Sequence, residues 1–162
     1  MQNAKDTFYV ALRNRLALLN PNRTMLLRGT QRPGILVEEA EAVVAMLPAD
    51  VFVLRWRGLQ TDIYLPLVMA QMVCEIHYTT GGTQVASGLD RGRAMEEMDA
   101  EVVSILSPPS TPKLNYAQSP VLQLNTPVFW TAAAFTAVIP LRDRLTRSAA
   151  VTVFAYQEPG EL

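Results

Sequence analysis

One cysteine and one histidine are all that this 162-residue chain offers of the residue types most often used as nucleophile, base or metal ligand. A lone cysteine closes no internal disulfide, which excludes a disulfide-stapled secreted framework. A single His and a single Cys also fall short of the set that a zinc site gathers. Charge is scarce: 18% of the residues are Asp, Glu, Lys or Arg, against about 25% in an average globular domain. The two signs nearly cancel, at a net charge of −1. The chain as a whole therefore lacks the positive excess that attaches a domain to nucleic acid or to an anionic membrane. Nor is there an unbroken apolar run of the roughly 20 residues that a membrane crossing needs. Leu114 to Leu141 is uncharged, but Pro120, Pro127 and Pro140 divide it into shorter pieces. Lys5, Asp6, Arg13 and Arg15 occupy the N-terminus, where a signal peptide requires a continuous apolar core. Neither a GxxxxGK[ST] loop nor a GxGxxG fingerprint occurs.

What is present is apolar. Hydrophobic residues make up 49% of the chain and the mean hydropathy is slightly positive. The length suits one domain, 1–162, at about 100–200 residues per domain, and suffices for a core without staples. A domain this poor in charge either retains apolar surface for a partner or is an ordinary domain with a neutral exterior rich in Gln, Thr and Asn.

The most legible stretch is Gln71–Leu106. Ala70, Met72, Cys74, Ile76 and Tyr78 alternate with Gln71, Val73, Glu75, His77 and Thr79. That is the pattern of an antiparallel strand with one wet face, and it aims Cys74 inward and His77 outward beside Glu75. Gly81-Gly82 ends the strand. A helix from Asp90 to Leu106, capped by Ser87 or Asp90, presents Met95, Met98, Val102, Ile105 and Leu106 on one face. Glu96, Glu97, Asp99 and Glu101 crowd the remainder as a solvated surface.

Upstream, Phe8, Leu12, Leu16 and Leu19 place one apolar stripe on a helix over Asn3–Leu19, which Asn20-Pro21-Asn22 stops. Thr24–Arg28 is short and extended. Arg32-Pro33-Gly34 marks a turn, and Ile35–Glu38 begins a strand. Glu38–Met46 reads either as one or two helical turns or as an irregular loop. Val51–Arg57 alternates as a strand, with Phe52, Leu54 and Trp56 opposed to Val53, Arg55 and Arg57, and Gly58–Pro66 reads as a loop. Downstream, Ser107–Thr126 reads as a long loop rich in Pro, Ser, Gln and Asn, of a length usually functional or mobile. Val128–Ile139 reads as one strand and Ala149–Tyr156 as the closing strand, joined by Arg142-Asp143-Arg144, with a frayed C-terminus. The expectation is an α+β domain with a mainly antiparallel sheet and two helices packed on one face.

No catalytic constellation emerges. Cys74 and His77 stand three apart on a strand, so their side chains diverge and cannot act as a thiolate–imidazole pair. Glu75 and His77 share a face, as a surface pair that would hold the imidazole charged. Gly81-Gly82-Thr83 and Gly88 bracket a helix start where a phosphate could sit, without the fingerprint that would specify one. Arg91, Arg93, Arg142, Arg144 and Arg147 are too scattered for a nucleic-acid groove. The residues predict no enzyme, no cofactor and no metal.

The order of elements resembles the tail terminator, or tail completion, proteins of long-tailed bacteriophages and related tail-like particles. The correspondence runs through Phe8–Leu19, Ile35–Glu38, Val51–Arg57, Met72–Thr80, Asp90–Leu106, Val128–Ala137 and Val151–Tyr156. The Ser107–Thr126 loop is longer than a minimal member needs. The resemblance implies a structural virion protein, assembled in the host cytoplasm and sited at the head-proximal end of the tail. Such a protein closes into a homohexameric ring on the tail tube protein and presents a surface to the head–tail connector. DNA passes through the ring without specific binding, which near-neutral charge suits. A ring needs two different surface patches per subunit, and pairing across a sheet edge is one mode. On this reading Arg55, Arg57, Asp62 and Tyr64 are candidates for subunit or tube contacts, as are Lys113 and Tyr116 in the long loop. Two alternatives stand beside it. One is a head–tail connector or neck protein. The other is a small ligand-binding α+β domain with its pocket between the sheet and the long loop, near Trp130, Tyr78 and the Met-rich helix.

Overall fold

A computed structural model of the chain describes residues 1–41, 47–63, 67–83, 85–159 and 161. Helix α1 (Gln2–Leu19) is followed by a small hairpin, β1 (Thr24–Leu27) and β2 (Thr30–Pro33). Then come β3 (Ile35–Val37), a single turn α2 (Glu38–Glu41), β4 (Phe52–Asp62) and β5 (Met69–Thr80). Helix α3 (Arg91–Ile105) leads to β6 (Ser110–Asn115), β7 (Leu122–Trp130), β8 (Ala134–Phe135), β9 (Ile139–Leu141) and β10 (Arg144–Tyr156). Among the described residues the main sheet runs β3-β4-β5-β10-β7-β6, with β8 and β9 also paired to β10. β3 is parallel to β4 and every other pairing in it is antiparallel. The architecture is α+β and dominated by the sheet.

Strands β5 and β10 are its spine. They are paired without interruption from Thr80 opposite Leu145 to Met69 opposite Tyr156. The alternation expected of β5 is present: Ala70, Met72, Cys74, Ile76 and Tyr78 are buried, and Ala149, Val151, Val153 and Ala155 continue the same face on β10. Phe8, Leu12 and Leu16 of α1 and Met95, Met98, Val102 and Ile105 of α3 belong to the same apolar cluster as these strand residues. Phe8 is its centre, edge-on to Trp56 at 5.8 Å and to Trp130 at 5.1 Å between ring centroids, a favoured aromatic geometry. The stripe on α1 stops at Leu16, and Leu19 is exposed.

Several boundaries differ from those expected. The stretch Gly58–Asp62 is not a loop: it continues β4 past a bulge between Trp56 and Leu59, because Met69–Met72 of β5 supply its backbone partners. The expected long loop Ser107–Thr126 holds β6 and the first half of β7. Its prolines mislead because Pro112, on the last strand of the sheet, faces Pro127 of β7 beside an irregularity, where a missing N–H is tolerated. Val128–Ile139 is not one strand. β7 leaves after Trp130, and β8 and β9 then pair in turn with the first half of β10. The expected fray at the C-terminus is a set of fixed contacts, described below. The ambiguous Glu38–Met46 contains one helical turn, and its residues 42–46 lie outside the described residues.

The start of α3 is also more specific than a cap. Asp90 stands at the N-cap position but makes no capping bond to the helix; its carboxylate accepts from Thr83 N at 2.9 Å and Thr83 Oγ1 at 2.7 Å. Gly82, at φ +72°, lies so close that a Cβ would fall 2.5 Å from Asp90 Oδ1, so glycine is required there.

Because Phe8 is fully buried between the two tryptophans, Phe8→Ala is expected to lower the free energy of unfolding by about 3–5 kcal/mol. Urea denaturation checks this: the midpoint falls while the slope stays that of the parent chain. A loss under 1 kcal/mol would contradict its central position.

Candidate interaction surface

The six residues singled out from the sequence do not form one site. Arg55 and Arg57 lie on the outward side of β4, and each is already engaged within the chain. Arg55 binds the Glu38 carboxylate with Nε and Nη2. Arg57 Nε donates to Glu75 Oε2 at 2.9 Å, and His77 Nε2 is also 2.9 Å from that oxygen. The Arg57 hydrogen bond, followed by that of His77, holds the Glu75 carboxyl below its ordinary range. Asp62 ends β4 opposite Met69. Tyr64 lies outside the described residues. Tyr116 is half-buried and lines a groove with Gln2, Asp6, Val10, Val37 and Trp56, where Lys5 Nζ stands 5.2 Å over the Trp56 ring.

Lys113 is a correction. Expected as an accessible loop contact, it lies on β6 and is fully buried. Its ammonium donates to the Tyr156 carbonyl and to Glu161 Oε2, each at 2.6 Å, with Glu158 Oε1 at 3.6 Å. Glu158 in turn accepts from Thr126 N at 2.7 Å and from Asn125 N at 3.1 Å. Glu161 accepts from Glu158 N at 2.6 Å. The chain's first amino group donates to Gln157 Oε1 at 3.2 Å. These bonds tie the C-terminal segment, the β6–β7 hairpin and the start of α1 together. They leave Lys113 nothing to offer a partner.

The acidic face of α3 is likewise only partly solvated. Asp99 accepts from the Tyr78 hydroxyl and from Arg147, and Glu101 binds Asn20 and Arg23. Burial first, and then Asp99, push the Tyr78 hydroxyl well above the ordinary tyrosine range. Cys74 is fully buried, and burial raises its thiol far above the usual value, as expected of a small core hydrophobe. Trp130, Tyr78, Met95 and Met98, where a ligand pocket was an alternative, are packed in the core, with Trp130 Nε1 donating to the Leu106 carbonyl at 2.8 Å. Among the described residues no group of three His, Cys, Asp or Glu side chains could hold a metal ion. No described helix is long and apolar enough to cross a membrane.

The surface feature that sequence reading missed is the placement of exposed apolar side chains at two edges of the sheet. One strip is the projecting end of the β4–β5 hairpin, with Leu59, Ile63 and Leu67 exposed. β3 covers β4 only over Phe52–Leu54, so the outer edge beyond it has no strand beside it among the described residues. The other strip is Thr131–Leu141 on the far side of β10, where Val138, Ile139 and Leu141 are exposed and no charged residue occurs. Other exposed apolar residues sit apart from both strips, including Leu18 at the end of α1, Leu26 on the β1–β2 hairpin, and Val85 and Leu89 in the loop before α3. The uncharged run Leu114–Leu141 held the signal for the second strip, but its prolines pointed to a loop.

The buried cluster around Lys113 carries a stability prediction with a definite sign. Burial alone would raise the Glu158 carboxyl, but bonds from Thr126 and then Asn125 outweigh it and hold it at about 2. Glu161 is also held below its ordinary value, with Lys113 as the main opponent of its burial. A carboxyl depressed in the folded state contributes stability that is present above its unfolded value, near 4.3, and is lost as pH falls toward its folded one. Thermal stability is therefore expected to drop between about pH 4.5 and 2, and Glu158→Gln is expected to flatten that drop. At neutral pH, Lys113→Met leaves the Glu161 carboxylate without its cation and is expected to cost about 3–5 kcal/mol. Adding Glu161→Gln should recover part of the loss, and a double variant as unstable as the single one would argue against the pairing. Comparison with protein-family models and with curated proteins returns no match for this chain.

Proposed function

We propose that this chain is a structural subunit without catalytic role, which closes into a homohexameric ring at the end of a phage-type tail tube and joins it to the head-side connector. The observation that carries the reading is the pair of exposed apolar strips on opposite sides of one sheet. A ring is built from heterologous contacts, which need two unlike patches on each subunit, whereas a two-fold dimer needs one patch that fits itself. On this reading α1 and α3 form a layer on one face of the sheet and stiffen it. The edges meet neighbouring copies, and the loops at the strand ends meet tube protein and connector. Near-neutral charge suits a lumen through which DNA moves without being held. The location would be the head-proximal end of the virion tail.

The test is mass determination and negative-stain microscopy of the purified chain at micromolar concentration, alone and mixed with tail tubes. Rings of uniform diameter that sit on one end of tubes and halt their growth are expected. A chain that forms no ring and never occupies a tube end would defeat the reading.

A further inference from the structure

We infer that copies of this chain join head to tail by antiparallel backbone pairing, with the outer edge of β4 over Arg57–Thr61 laid against the Thr136–Ile139 stretch of the next copy. The inference rests on the self-assembly part of the reading above and does not depend on what the assembly meets. Strand direction supports it first. β4 is antiparallel to β5, β5 to β10, and β10 to both β8 and β9. The two open edges therefore run in opposite directions. A second copy placed beside the first in the same orientation brings them together as an antiparallel pair, continuing the alternation of the sheet across the boundary.

Backbone satisfaction supports it next. Ala137 and Val138 make no backbone hydrogen bond among the described residues, and the β4 edge beyond Leu54 pairs only with β5. Unpaired, apolar edges are a template for another strand, and chains that remain monomeric blunt them with charge or bulges. The β4 edge does carry a bulge between Trp56 and Leu59 and begins at Arg57, but Arg57 is held by Glu75, and Gly58–Thr61 and Thr131–Leu141 carry no charge, so neither strip presents an unpaired ion to the other. Pro140 removes one donor, but only past the end of the proposed pairing.

The offset between the edges gives the assembly a shape. Leu59 lies opposite Met72, whereas Thr136 is level with Ser148 and His77, and Ile139 is level with Thr146 and Thr79. Along β5 the two open stretches are thus displaced by about five to seven residues, or roughly 17–24 Å at the rise of a strand. The four strands β4, β5, β10 and β9 between them span about 19 Å. Each added copy then steps along the strands by about as much as it adds in width, so the strands slope at roughly 45° to the direction of growth, close to the tilt at which sheets close on themselves. The pairing is compatible with a closed ring of tilted strands.

Complementing blocks test it. Leu59 and Ile139 are 53% and 59% exposed, so Leu59→Lys and Ile139→Lys should leave the fold intact, which unchanged circular dichroism and melting confirm. Light scattering of the full chain at tens of micromolar is expected to show an oligomer for the parent and monomers for each variant alone. Mixed in equal amounts, the two variants should form a dimer and nothing larger, since each keeps one functional edge and the two kept edges differ. A monomeric parent, a single variant that assembles like the parent, or a mixture that stays monomeric would each overturn the inference. As an independent measurement, Leu59→Cys mixed with Val138→Cys, which the antiparallel register sets opposite each other, should give an oxidised heterodimer, and failure to cross-link above the level of either alone counts against the pairing. The outcomes separate the two readings. Oligomers that obey these rules but ignore tail tubes defeat the tail assignment alone. Capping of tubes by both Lys variants defeats the edge pairing alone.

Discussion

The continuous pairing of β5 with β10 is the constraint on which the rest of the molecule depends. Thr80 to Met69 are matched residue for residue with Leu145 to Tyr156, joining segments more than 60 residues apart. That match fixes a common buried side, because a slip by one residue would put Cys74 and Ile76 on the opposite face from Val151 and Val153. The apolar cluster built on these strands also takes in Phe8, Leu12 and Leu16 from one helix and Met95, Met98 and Val102 from the other. The long antiparallel pair also leaves each strand a free flank, which β4 fills on one side and β7, β8 and β9 share on the other.

The Lys113 cluster closes what the sheet leaves loose. β6 is the last strand of the main sheet, and such a strand exposes its backbone unless something covers it. Thr7 of α1 covers part of that edge, its hydroxyl accepting from Leu114 N at 2.9 Å and lying 3.2 Å from Leu114 O. Lys113 then anchors the residues after β10 through Tyr156 O and Glu161. A buried ammonium is costly to desolvate, and Lys113 persists bonded to a carbonyl and one carboxylate with a second carboxylate 3.6 Å away.

How much of this was legible in the sequence follows from what each signal measures. Side-chain alternation reports burial on one face, and it located β5, the inward Cys74 and the outward His77. Helical periodicity located α1 and the buried face of α3 for the same reason. Neither signal sees a strand whose two faces are alike, and so Gly58–Asp62, exposed on both sides, and the proline-bearing Ser110–Asn115 read as loops. Lys113 was placed on the surface because an isolated lysine is almost always solvated. Its partners, Glu158 and Glu161, stand more than 40 residues away and could be found only through the fold. Residue type also misjudged Asp99 and Glu101, which look like any charged helix face until Tyr78, Arg147, Asn20 and Arg23 are brought to them. The edges themselves were invisible, because which strand lies outermost is a property of topology and not of any local pattern.

The low charge content gains a more specific meaning once its location is known. Lys5, Arg23, Arg32, Arg55, Arg57, Lys113 and Arg147 all form ion pairs within the chain, which is half of its 14 basic residues. Their partners Glu38, Glu39, Glu41, Glu75, Asp99, Glu101 and Glu161 account for a similar share of the 15 acidic ones. Most of these pairs join α2, α3 or the C-terminal segment to neighbouring elements, while Arg57–Glu75 lies between β4 and β5. A domain that merely had a neutral exterior would scatter its charges evenly as solubilising groups. Here two stretches of the sheet, Gly58–Thr61 and Thr131–Leu141, carry no charge and expose Leu59, Val138, Ile139 and Leu141. Ion pairs spent within the body leave these two stretches without one of the devices that keep exposed strand edges apart.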